Sequence, residues 1–186
     1  MEIRLAAYLQ PDSLVDGEGI RTVIWTQGCT HNCPGCHNPG THDFNLGFSQ
    51  TLEEIKEEIS LLEGQDGITL SGGDPMFQPE ACIEIAKYAK SLNLNVWCYT
   101  GFTFEQLKAL SKSKPVILEL LNEIDVLIDG KFILENKSLN LLFRGSSNQR
   151  VIDVKKSLEE GTVCTSKKYD EKQESYLFGK AEYMFI

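Results

Sequence analysis

Three cysteines fall within eight residues, Cys29-Thr30-His31-Asn32-Cys33-Pro34-Gly35-Cys36, and this C-x3-C-x2-C run constrains the chain more than any other feature. Six cysteines in all are an even number, so a disulfide framework has to be weighed. The other three, Cys82, Cys98 and Cys164, are scattered through apolar or mixed sequence. A chain of 186 residues can also build its core without cross-links, so the cluster points to a metal. Thiolates are soft ligands that suit iron–sulfur clusters, copper(I) or zinc. Structural zinc normally takes four protein ligands, and an ordinary ferredoxin cluster takes four cysteines. Here three arrive together and no fourth cysteine lies nearby. A cubane held by three thiolates keeps one iron open to a small molecule, which is the mark of a catalytic centre. The competing reading is a closed Cys3His zinc site with His31, His37 or His42 as fourth ligand. It leaves the motifs further along the chain unexplained.

Length and composition fit one domain with a sizeable core: 41% of residues are hydrophobic and 24% charged. No apolar stretch is long enough to span a bilayer, and Met1-Glu2-Ile3-Arg4-Leu5 does not read as a secretory signal. The expectation is a soluble, cytoplasmic protein with no membrane partner. A formal charge of −9 argues against nucleic acid, whose phosphates require a basic surface.

Short β-branched runs alternate with amphipathic stretches. Strands are predicted at Thr22–Trp25, Ile68–Leu70, Asn95–Tyr99 and Val126–Ile128, with a weaker one at Arg150–Ile152. Capping-box patterns at Thr51-x-x-Glu54 and Thr103-x-x-Gln106 open two helices, the second broken by Pro115. Pro79 sits where a third would begin, with Cys82, Ile85, Ala86, Ala89 and Leu92 on its apolar face. Val154–Glu159 reads as a short helical segment, and Ile117–Ile124 as an apolar stretch. This alternation predicts a parallel sheet covered by helices, with its chemistry at the edge where the strands end. The cysteine loop, Gly72-Gly73-Asp74-Pro75, Thr100-Gly101 and Asp129-Gly130-Lys131 each follow a strand, so they should converge. Adjacent glycines allow positive φ and close approach to a ligand, and a carboxylate beside them can accept from an ammonium. Alone, each of these segments is also an ordinary turn.

The C-x3-C-x2-C loop after a first strand resembles the signature of the radical S-adenosylmethionine (radical SAM) superfamily. The resemblance implies a 4Fe–4S cluster on Cys29, Cys33 and Cys36, with S-adenosyl-L-methionine chelated at the open iron. Gly72-Gly73-Asp74-Pro75 is similar to the superfamily's G-G-E-P motif, which implies that Gly72, Gly73 and Asp74 bind the methionyl amino group. The departure is Asp74 in place of Glu.

Within the superfamily, Ser13 to Thr22 resembles the lead-in of enzymes that activate glycyl-radical enzymes. Gly35-Cys36-His37-Asn38-Pro39 matches the subgroup acting on the anaerobic ribonucleotide reductase. Tyr99-Thr100-Gly101-Phe102, Asp125 to Phe132 and Phe143 to Asp153 look like the same family. The resemblance implies an incomplete parallel β/α barrel over residues 1–161, followed by a C-terminal tail, 162–186, whose structure the sequence leaves open. It also implies Thr100, Asp129 and Lys131 as further cofactor-binding residues. The implied activity is reductive cleavage of S-adenosylmethionine and formation of a glycyl radical on the anaerobic ribonucleoside-triphosphate reductase, fed by a flavodoxin- or ferredoxin-type reductant. The alternatives are a radical SAM enzyme acting on a small molecule, of the 7-carboxy-7-deazaguanine synthase kind, and a non-catalytic iron–sulfur electron carrier or zinc-binding module.

Overall fold

The computed structural model describes residues 1–169. Its strands are β1 (Glu2–Leu5), β2 (Gln10–Ser13), β3 (Arg21–Thr26), β4 (Phe48–Thr51), β5 (Gly67–Gly72), β6 (Asn95–Tyr99), β7 (Val126–Asp129) and β8 (Arg150–Asp153). They form one sheet in the order β4-β1-β3-β5-β6-β7-β8, with β2 attached to β3. The middle four, β3, β5, β6 and β7, are parallel, whereas β1, β2, β4 and β8 pair antiparallel at the flanks. Among the described residues the two ends of the sheet do not meet, so the architecture is an open, incomplete α/β barrel.

The central strands are nearly continuous apolar runs because both of their faces are covered. Ile24, Ile68, Leu70, Val96, Cys98 and Leu127 are all fully buried. The helices follow: α1 (Leu52–Leu61), α2 (Pro79–Ser91), α3 (Phe104–Leu110), α4 (Val116–Glu123) and α5 (Val154–Glu160). Both predicted capping boxes form, Thr51 with Glu54 and Thr103 with Gln106, and Pro79 opens α2 as expected. Cys82 and Cys98 are fully buried core residues.

Two expectations need correction, and three strands were missed. Pro115 does not break a helix: α3 has already ended at Leu110, and Pro115 caps the start of α4, which contains the apolar stretch from Ile117. The strands β1, β2 and β4 carry too little local pattern to be read from sequence. The last strand is not parallel. Between β7 and β8 the chain holds only a short 3₁₀ turn, Leu134–Asn136, with no helix to carry it across the sheet. It therefore re-enters from the edge it left, and Asp129 pairs with Arg150.

Residues 162–169 lie back along β8: Thr165 bridges Ile152, and the Tyr169 ring packs edge-on to Trp97. The rest of the predicted tail, including its apolar end Tyr183–Ile186, lies outside the described residues. Among the described residues no helix is long and apolar enough to cross a membrane.

Candidate active site

Register decides which segments can meet. Arg21 to Thr26 pair residue for residue with Gly67 to Gly72, and β6 and β7 follow in step. The parallel strands thus end level, and the segments leaving them share one edge. The cysteine loop starts there. Its root is tied by Gly28 N–H to Thr41 O at 2.8 Å and Cys29 N–H to His42 O at 3.1 Å.

Cys29, Cys33 and Cys36 are half-buried and line a cavity of about 140 Å³ together with Gly72, Gly73 and Thr100. Gly101, Gly130, Phe132 and Gln149 complete much of its wall. The expected convergence of four strand-ending segments is therefore met. Two backbone amides point at sulfur: His31 N–H to Cys29 Sγ and Asn38 N–H to Cys36 Sγ, each at 3.4 Å. Burial raises the Cys29 thiol above its ordinary value, so a metal is what would hold that sulfur as thiolate. Among the described residues no three His, Cys, Asp or Glu side chains gather around one ion position. Three thiols on one cavity wall are the soft donor set that an iron–sulfur cluster takes. The donor set fits a 4Fe–4S cluster with three protein ligands.

The glycines of the next turn do more than approach a ligand. Gly72 has φ +102°, and a Cβ there would run into the Thr26 backbone; one on Gly73 would run into the backbone of Gly28. The turn packs directly on the root of the cysteine loop, fixed by Gly73 N–H to Thr26 O at 2.7 Å and Asp74 N–H to Gly28 O at 3.0 Å.

Asp74 is 1% exposed and does not line the cavity. Its Oδ2 accepts from Thr100 Oγ1 at 2.9 Å and Gly101 N–H at 3.0 Å, and lies 2.7 Å from His31 Nε2. Its Oδ1 accepts from Met76 N–H at 3.0 Å. The carboxylate is thus enclosed by protein donors.

Asp129 and Lys131 also lie away from the thiols. Both line a neighbouring surface cleft with Glu105 and Arg150. Asp129 is buried, accepts from Phe104 N–H at 2.8 Å and pairs with Arg150 at 2.5 Å. Arg150 reaches on to Glu105, whose carboxyl it holds down to about 2. This arrangement ties β7, β8 and α3 together. Lys131 is exposed. Of the sequence-predicted cofactor residues, Gly72, Gly73 and Thr100 reach the cavity, and Asp74, Asp129 and Lys131 do not.

A second cavity of about 510 Å³ adjoins the first, sharing His37, Asn38, Ser71 and Tyr99. Trp25, Ser71 and Tyr99 form one wall, and residues 139–145 another. Tyr99 Oη donates to Phe143 O at 2.9 Å, which holds that segment in place. Sequence reading missed Ser71 and Tyr99 as lining residues, because their shared face depends on strand register. The volume lies within the range of small-molecule sites.

The segment from residue 15 to 152 matches the family model described as a 4Fe-4S single cluster domain. The chain is 34% identical over 150 residues to the anaerobic ribonucleoside-triphosphate reductase-activating protein of Escherichia coli (strain K12), covering 76% of this chain and 93% of that one. It is 36% identical to the protein of that name from Enterobacteria phage T4, over 77% of this chain and 90% of that one. For the Haemophilus influenzae protein of the same name the figures are 35%, 76% and 94%. QueE from Escherichia coli overlaps 55% of this chain and 54% of its own at a TM-score of 0.44 and 14% identity, too distant a likeness to bear on the site. Three thiols on one cavity wall and relatives matched over nearly their whole length agree: this chain belongs to the 4Fe-4S single cluster domain family, within the anaerobic ribonucleoside-triphosphate reductase-activating proteins.

Proposed function

We propose that this protein is a radical SAM activase that generates a glycyl radical on the anaerobic ribonucleoside-triphosphate reductase. The observation that carries the reading is the meeting of three thiols and the Gly72–Gly73 turn in one cavity that adjoins a larger one. Bound through Cys29, Cys33 and Cys36, a 4Fe–4S cluster would supply the one-electron reduction that cleaves S-adenosylmethionine and initiates hydrogen abstraction from a glycine of the partner. The protein's part is to bind, orient and shield.

Cys29, Cys33 and Cys36 would hold the cluster. Gly72, Gly73 and Thr100 present a wall made largely of backbone beside the thiols, suited to a small polar ligand. Asp74 serves this wall by anchoring it, since its oxygens are already engaged by Thr100, Gly101, His31 and Met76. Asp129 acts one step further out, as a brace through Arg150. The adjoining cavity, walled by Trp25, Tyr99 and residues 139–145, gives the second reactant a way to the centre. A reducing, cytoplasmic setting and a flavodoxin- or ferredoxin-type reductant complete the proposal.

The test is anaerobic reconstitution with iron and sulfide. It should give about four irons per chain, with one iron whose Mössbauer signal responds to S-adenosylmethionine. Reduction should then release 5′-deoxyadenosine and methionine. Zinc as the sole stoichiometric metal in anaerobically purified protein would defeat the reading.

A further inference from the structure

We infer that His31 is a positioning residue: its contact with Asp74 locks the cysteine loop onto the Gly72–Asp74 turn and so sets where Cys29 and Cys33 stand. The inference rests on the proposal that these thiols hold a cluster, and it deepens that proposal.

His31 lies midway between Cys29 and Cys33, yet its side chain is only 8% exposed. Nε2 meets Asp74 Oδ2 at 2.7 Å, and because a carboxylate only accepts, Nε2 carries the hydrogen. The ring stands edge-on to Phe102, with centroids 4.5 Å apart, and lies 6.1 Å from Phe77. Beneath it is Gly101, where any Cβ would overlap the imidazole. The partner is itself immobile, because Thr100, Gly101 and Met76 hold the Asp74 carboxylate from other directions. A contact to an anchored, buried carboxylate is charge-assisted and directional. It reaches across 43 residues of sequence. The loop reverses immediately after it, at Asn32 with φ +49°, before continuing to Cys33. His37, by comparison, is exposed and rests against Phe132.

The geometry also gives the Asp in this turn a reason. Asp74 and the ring of His31 fill the space between the turn and the loop. A Glu, one methylene longer, would have to push its carboxylate into the imidazole.

The lock belongs to the chain itself, so it is read first on the metal-free protein. Alkylation by iodoacetamide under anaerobic conditions, mapped by mass spectrometry, reports how freely Cys29 and Cys33 move. In His31→Ala both should react roughly tenfold faster, the change expected from losing one charge-assisted hydrogen bond. Asp74→Glu should behave the same way although it keeps the charge. His31→Gln, whose amide can donate to the same carboxylate, should recover most of the protection. The double variant His31→Ala/Asp74→Asn should react no faster than the faster of its two parents, since both remove one interaction. After reconstitution, the rank order of iron loss to a ferrous chelator should follow the alkylation rates. Unchanged alkylation in His31→Ala, or additive effects in the double variant, overturns the inference. If the alkylation pattern holds while wild-type protein takes up no iron, the lock stands and the cluster reading fails.

Discussion

At Asp74 the side-chain hydroxyl of Thr100, the amides of Gly101 and Met76 and the ring of His31 all meet one carboxylate inside the protein. Removing it leaves several buried donors without a partner, and unmade buried hydrogen bonds cost more than made ones contribute. Asp74→Ala should lower the stability of the metal-free protein by about 2–4 kcal/mol in urea denaturation, more than Asp74→Asn, which keeps an acceptor. It should also weaken cofactor cleavage, while the three cysteines still take up a cluster. An Asp74→Ala protein as stable as wild type would remove the carboxylate from its anchoring role. The cysteines divide in the same physical way. Cys29→Ala, Cys33→Ala or Cys36→Ala should abolish stoichiometric cluster binding. Cys98→Ala, in the core, should leave iron content intact and lower stability by about 1 kcal/mol. Much of this scale is legible in the sequence, because three thiols in one loop and two glycines before an acid are local patterns. The partner of Asp74 is not legible. His31 reads as a polar loop residue until the loop folds back over the turn and brings its ring to the Asp74 carboxylate.

Between elements, the brace of Asp129, Arg150 and Glu105 fastens β8 and α3 to the end of β7. Asp129 is buried and Arg150 half-exposed, so Arg150→Ala strands a charge inside the protein and should cost about 2–3 kcal/mol. The outer limb of the brace is pH-dependent. Arg150 holds the Glu105 carboxyl down to about 2, below its ordinary value, so this contact stabilises the fold above about pH 4.5 and is lost as the pH falls towards 2. A stability gap between wild type and Glu105→Gln, measured by urea titration, should be present at pH 7 and shrink across that acid window. A gap independent of pH would show that the charge contributes nothing. The amphipathic helices and apolar central strands were readable because their periods are local. The flanking strands were not. β2 contains Pro11 and a left-handed Asp12, and β4 ends in the same Thr51 that caps α1. Such strands exist through long-range pairing. The reversed direction of β8 follows from a missing crossover helix, a property of the connection and not of the strand's own residues.

At the scale of the whole molecule, four parallel strands end level and deliver the cysteine loop, the glycine turn, Thr100 and Gly130 to one edge. The sheet stays open among the described residues, and a macromolecular substrate needs that opening if a glycine is to reach the centre. Cluster uptake and cofactor cleavage alone would suit any radical SAM enzyme, so the central claim is tested on the partner. Reduced, reconstituted protein should be incubated with S-adenosylmethionine and the anaerobic reductase of the same organism, and followed by electron paramagnetic resonance. The account predicts a stable doublet on the reductase chain, with deuterium placed at its radical glycine recovered in 5′-deoxyadenosine. Cofactor cleavage at full rate with the reductase left free of radical, and turnover of a small purine precursor in its place, would contradict it.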